Sequence, residues 1–144
     1  METLKIKPEC IHSFIPPRKA SCQAAGFDVY AQEDVTFNCE TRTIELGFAT
    51  EIPVGYYAEL LPRSGFGNKY GMRLLGTVGI IDSDFRGIWK ATIQLEKGKE
   101  LQLSRGDRFL QFVMHKLPEF NIEVVSELTE TKRGTGGYGS TGTK

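Results

Sequence analysis

The strongest constraint on the fold is how the chain is cut. Sixteen glycines and six prolines in 144 residues leave only short stretches, and most of these alternate apolar and polar with period two instead of recurring at three and four. The clearest runs from Ile88 to Leu95, where Trp89, Ala91, Ile93 and Leu95 form one face and Lys90, Thr92 and Gln94 the other. The same alternation groups Ile44, Leu46 and Phe48, then Leu101 and Leu103, then Phe120, Ile122 and Val124. Turn signals such as Glu96-Lys97-Gly98-Lys99 separate these stretches, which predicts an all-β, jelly-roll-like sandwich or barrel. Asp107 to Leu117 has the length of a helix, but its run from Phe109 to Met114 reads as a buried strand. Ser64 to Tyr70 has room for a short helix only, weakened by two glycines.

A chain of this length is one domain able to bury roughly two-thirds of its unfolded surface. Eighteen Lys and Arg balance eighteen Asp and Glu, so the general phosphate-neutralising excess of a nucleic-acid binder is absent. Cys10, Cys22 and Cys39 are odd in number and lack CxxC spacing, which argues against a disulfide framework or a zinc site and for reduced thiols. Met1 to Lys7 has no apolar signal core, and no run approaches the roughly 20 residues that span a bilayer. The expected setting is soluble and cytoplasmic, or the host cytoplasm or nucleus for a viral source, without nucleic-acid or membrane partners.

Residues 133–144 differ from the rest: five glycines, three threonines, a serine, a tyrosine and no aliphatic side chain. Such a segment cannot bury itself, so the body is expected to be 1–132, followed by a flexible glycine-rich arm. Gly134, Gly136 and Gly139 satisfy GxGxxG, but no strand and helix flank them as a dinucleotide fingerprint requires. Gly142 is followed by Thr143-Lys144 instead of Lys-Ser/Thr and a helix, which rejects a P-loop. Exposed amides, hydroxyls, Arg133 and Tyr138 leave two readings: a disordered tail, or a wrap for phosphates and a base.

Pro62-Arg63-Ser64-Gly65 offers a guanidinium, a hydroxyl and an open amide, either an anion site or an ordinary surface turn. Gly79-Ile80-Ile81-Asp82-Ser83-Asp84-Phe85-Arg86-Gly87 sets two acids between glycines, either a general base or an acidic hairpin in solvent. Ala25-Gly26-Phe27-Asp28 reads in isolation as a strand entry.

Their order is far more informative than any one of them. AGFDVY at 25–30, PRSGFG at 62–67, GIIDSDFRG at 79–87, GDRFLQ at 106–111 and RGTGGYGSTG at 133–142 resemble the five motifs of the trimeric dUTP pyrophosphatases, the dUTPases. The resemblance implies a homotrimer with active sites shared between subunits and closed by the arm of a neighbour. It implies hydrolysis of dUTP to dUMP and pyrophosphate, which limits uracil in DNA and supplies dUMP for thymidylate synthesis. Mg²⁺ would be held mainly by the substrate's phosphates and water, with no direct protein ligand.

By the same resemblance, Asp82 activates the attacking water at the α-phosphate, and Asp28 supports the metal's water shell or the closing arm. Arg63, Ser64, Gly65, Gln111, Arg133, Ser140 and Thr141 would bind phosphates. Fixed donors of this kind stabilise a phosphorus transition state without reorganising. Backbone groups at Gly76, Gly79, Ile80 and Ile81, and again near Lys90, would read uracil. Phe85 would pack on the deoxyribose and Tyr138 stack on the base.

Three positions depart from the common pattern: Phe85 where Tyr is usual, Tyr138 where Phe is usual, and Leu75-Gly76-Thr77 where many members carry an Asn. The last leaves open whether any side chain there contacts the base, while backbone readout is untouched. A dCTP deaminase resembles these proteins in fold, but it requires a Glu about where this chain reads Lys90-Ala91-Thr92-Ile93-Gln94, with no acid before Glu96. A regulatory protein of the same fold that binds a protein partner is the other alternative, and no long insert serves as its docking element.

Overall fold

A computed structural model of the chain describes residues 2–37 and 40–137. Eleven strands and one helix follow in order among the described residues: β1 (Lys5–Pro8), β2 (Phe27–Tyr30), β3 (Val35–Phe37), β4 (Thr41–Glu45), β5 (Phe48–Glu51), β6 (Tyr56–Pro62), α1 (Ser64–Tyr70), β7 (Arg73–Leu74), β8 (Gly79–Ile81), β9 (Lys90–Gln94), β10 (Leu101–Leu103) and β11 (Arg108–Lys116). The larger sheet runs β2-β11-β6-β8 and a second runs β4-β9-β7, with the pairs β1-β5 and β3-β10 at their margins. All the pairings are antiparallel.

Two of the predicted faces are core faces. Trp89, Ala91, Ile93 and Leu95 are buried while Lys90 is exposed, as period two requires when one side of a sheet meets a core. Leu101 and Leu103 are buried too. An aromatic chain joins the two larger sheets: Trp89 meets Phe112 edge-on at 5.2 Å and Phe48 at 5.1 Å, and Phe112 stacks on Phe27 at 5.1 Å. The indole N–H, which would be costly to bury unpaired, donates to Thr50 Oγ1 at 3.0 Å.

The run from Phe109 to Met114 is strand, as predicted, and Ser64–Tyr70 is a two-turn helix closed by Gly71 at φ 57°. Two expectations need correction. Ile44, Leu46 and Phe48 do not share one strand: Gly47, at φ 77°, turns the chain between β4 and β5. Leu46 and Phe48 are buried nonetheless.

Phe120, Ile122 and Val124 form no strand. They are 84%, 95% and 95% exposed, and the nearest preceding backbone bond is Leu117 N–H to Gly55 O. A strand needs a neighbour for its amides and carbonyls, and the described residues of this chain supply none there.

Candidate active site

Asp28 is the pivot of one half of the predicted site. Its backbone is pinned on both edges, opposite Gln111 in the β2–β11 ladder and bridged to Arg18 on the other side. Only 8% of its side chain is exposed. A buried carboxylate requires partners, and two guanidiniums supply them: Arg63 Nε lies 3.0 Å from Oδ1 and Arg108 Nη1 3.3 Å from Oδ2. Arg63 also donates from Nη1 to Arg108 O at 2.9 Å, so its fork is held at two points. Gln111 Nε2 donates to Pro62 O at 3.3 Å. Ser64 and Gly65 follow as exposed residues, and the first amide bonded within the turn is that of Phe66, to Arg63 O. The structure thus gathers Asp28, Arg63, Ser64, Gly65 and Gln111 where β2, β11 and β6 end together, with donors facing solvent.

The predicted nucleoside residues form another group. Leu74 and Thr77 bridge a tight turn, with Thr77 N–H bonded to Leu74 O at 2.9 Å. Gly76, at φ 92°, supplies the positive φ such a turn needs at its third position. Gly79, Ile80 and Ile81 are β8, and Ile80 is 54% exposed. Beyond them Asp82 is exposed in a turn closed by Phe85 N–H to Asp82 O at 3.2 Å. Arg86 braces that turn, donating from Nη1 to Ser83 O at 2.7 Å. Phe85 is 43% exposed. The Lys90 ammonium is taken by Glu45 at 2.7 Å, whose hydrogen bond and charge hold it above its ordinary pKa.

One chain does not unite the two groups. In the β6–β8 ladder Ile81 stands opposite Ala58 and Gly79 opposite Leu60, so Asp82 leaves near Tyr57 while Arg63 follows the far end of β6. Six residues of extended strand separate these points by about 20 Å. Asp82 indeed borders a cleft with Tyr56, Tyr57, Lys116 and Pro118. Arg133 stands apart as well, its Nε donating to Gly136 O at 2.8 Å. Tyr138, Ser140 and Thr141 lie outside the described residues.

Sequence reasoning missed Arg108 and Arg86 as working residues. Arg86 carried no signal beyond its place in the hairpin motif. Arg108 carried none beyond its place in GDRFLQ, because the apolar run from Phe109 to Met114 does not reveal the bulge at Phe109.

Guanidinium, hydroxyl and amide donors at one end of a β-sandwich, with a hairpin and an exposed acid at the other, form an arrangement suited to an anionic ligand. Comparison with known proteins narrows this to a family. A dUTPase family model matches residues 12–142. The deoxyuridine 5'-triphosphate nucleotidohydrolase of Paramecium bursaria Chlorella virus 1 is 36% identical over 143 residues, 99% of each chain. That of Nautilia profundicola is 39% identical over 140 residues, 96% of this chain and 98% of its own. In fold, the Staphylococcus bacteriophage 80alpha dUTPase with dUpNHpp superposes with a TM-score of 0.85 over 99% of both chains at 23% identity. A variant dUTPase of S. aureus phage phi11, which coordinates a structural Mg(II) ion, does so at 0.75 over 88% of this chain and 98% of its own, at 20% identity. The chain belongs to the dUTPase family.

Proposed function

We propose that this protein hydrolyses dUTP to dUMP and pyrophosphate in sites completed by further copies of the chain. The observation that carries this reading is the division of the site along β6. A general base must come within hydrogen-bond reach of the water it activates, and about 20 Å of strand keeps Asp82 from the donors around Asp28 in the same chain. A second copy would bring its hairpin and Asp82 to the first copy's Arg63, Ser64, Gly65 and Gln111. A homotrimer with head-to-tail contacts closes such an arrangement. The exposed apolar row of Phe120, Ile122 and Val124 supports self-association, because a row of this kind marks a surface awaiting a partner.

In the reaction, Asp82 accepts a proton from water as the water's oxygen bonds to the α-phosphorus. The bond from that phosphorus to the bridging oxygen breaks, and pyrophosphate leaves with the electron pair. Arg63, Ser64, the Gly65 amide and Gln111 neutralise the charge that develops on the phosphate oxygens. The backbone of Gly76 and Gly79 to Ile81, with that of Lys90, reads uracil, and Phe85 covers the sugar. Residues 1–132 form the body and residues 133–144 the arm that closes the site. Arg133 would exchange its bond to Gly136 O for the terminal phosphate, while Tyr138, Ser140 and Thr141 complete the closure.

The donor set fits Mg²⁺ carried by the substrate better than a resident ion. Among the described residues no three His, Cys, Asp or Glu side chains group to hold a metal, and both Asp28 oxygens face guanidiniums. Asp28 keeps lone pairs for a metal-bound water. The ion's contribution when bound is to offset phosphate charge. No helix among the described residues is long and apolar enough to cross a membrane, and the free Cys10 and Cys22 support a reducing, cytoplasmic setting.

The test is pyrophosphate release from dUTP, with dCTP, dTTP and UTP in parallel, with and without Mg²⁺. Release from dUTP alone, dependent on magnesium, is expected; equal release from dCTP or UTP, or none from any, overturns the reading.

A further inference from the structure

Regular alternation would turn Arg108 inward. It stands two residues before Leu110 and four before Phe112, both fully buried, and three before Gln111, which faces Asp28. In an unbroken strand, residues three apart point to opposite sides. The ladder is broken here, because Arg108 pairs with Tyr30 and Leu110 with Val29, so Phe109 is an inserted residue. Phe109 and Leu110 are buried side by side at 1% and 0% exposure. This bulge swings Arg108 out beside Gln111, within 3.3 Å of Asp28 Oδ2. Bulges re-aim side chains in this way next to active sites.

The same bulge also ties down Arg63. Arg63 N–H donates to Phe109 O at 3.1 Å, and its Nη1 donates to Arg108 O. One carboxylate therefore holds two guanidiniums whose stems and backbones are fixed by a single irregularity in β11. The charge sum is one negative against two positive, an excess of one positive charge at the mouth. Arg108 is 44% exposed in its side chain, and the contact with Asp28 uses one of its five N–H donors.

We propose that Arg108 is a further substrate-binding residue, a second guanidinium aimed by the Phe109 bulge and by Asp28 to take the phosphate chain beside Arg63. Asp28 is then the positioning residue for both arms. The inference rests on the dUTP reading, since it names a further ligand of that site. Paired guanidiniums suit this ligand, because planar forks bind phosphate oxygens through two parallel N–H groups, and their mutual repulsion is relieved when an oligophosphate arrives.

The experiment compares dUpNHpp, the uncleavable analogue, with deoxyuridine, which has the base and sugar but no phosphate. Wild-type protein must first release pyrophosphate from dUTP; if it does not, the dUTP reading falls independently of Arg108. In an active protein, Arg108→Ala is expected to weaken dUpNHpp binding by about tenfold to a hundredfold, the range for hydrogen bonds to charged groups, while deoxyuridine binding is unchanged. Arg108→Lys, which keeps the charge but loses the fork, is expected to fall between alanine and wild type. Where Arg108→Ala does not fold, Arg108→Lys and Arg108→Gln carry the same comparison. Equal weakening of both ligands, or unchanged affinity for dUpNHpp, overturns the proposal.

Discussion

The ring of Phe85 lies directly over Gly87: a Cβ on that glycine would meet Phe85 Cζ at 2.6 Å. Phe85 is 43% exposed, so an added methyl would push the ring aside into solvent without disturbing the core. Gly87→Ala is therefore expected to leave the melting temperature nearly unchanged while the preference for dUTP over UTP falls, because the displaced ring no longer closes on the sugar. Steady-state kinetics on both nucleotides checks this. Full selectivity in a folded variant would remove Phe85 from sugar discrimination.

Asp82 and Arg63 offer a test of shared sites. Asp82→Asn is expected to lower kcat by about 10²- to 10⁴-fold through loss of the base, with nucleotide binding retained. Arg63→Ala loses a proposed phosphate ligand and one of the two guanidinium partners of Asp28. Co-expressed, the two variants should regain activity, since about one quarter of the sites in randomly mixed head-to-tail trimers would combine an intact Asp82 with an intact Arg63. Absence of recovery in verified mixed trimers would place both residues of a working site on one chain.

Several of these relationships were legible in the residues and others were not, for physical reasons. The β9 face was legible because Trp89, Ala91, Ile93 and Leu95 are buried on one side only, and a strand with one wet face must alternate. Asp28, Arg63 and Gln111 were legible as family motifs, but their contact depends on the register of β2, β11 and β6, which no local pattern specifies. Arg108 was hidden by the Phe109 bulge, because counting by twos assigns it to the core. Phe120, Ile122 and Val124 alternate well, yet alternation records that a face is to be covered and not which chain covers it. The split between Asp82 and Arg63 is likewise a property of the β6–β8 register.

That uncovered row leads to a third prediction. Replacing Phe120, Ile122 and Val124 by serine removes three apolar side chains, each worth about 1.5–3 kcal/mol when fully buried. In a single chain they are almost wholly exposed, so the body should keep its fold while assembly weakens. Sedimentation is expected to show smaller species at micromolar concentration, with activity lost in parallel. An unchanged trimer would mean that the row is not an interface.

Thr77 is held at φ 79°, a left-handed conformation that a β-branched residue strongly disfavours. It sits at the tip of the hairpin proposed to read the base, where its N–H closes the turn onto Leu74 O and its side chain is exposed. Such strain amounts to about 1–3 kcal/mol, and asparagine, which adopts this region more readily, should relieve part of it. Thr77→Asn is expected to stabilise the protein by about 1 kcal/mol and raise Tm by about 2–4 °C at fixed protein concentration. Selectivity for uracil over cytosine should stay the same if the hairpin reads the base through its backbone. A drop in Tm would show that the turn does not strain Thr77, and a change in base selectivity would show that this side chain takes part in recognition.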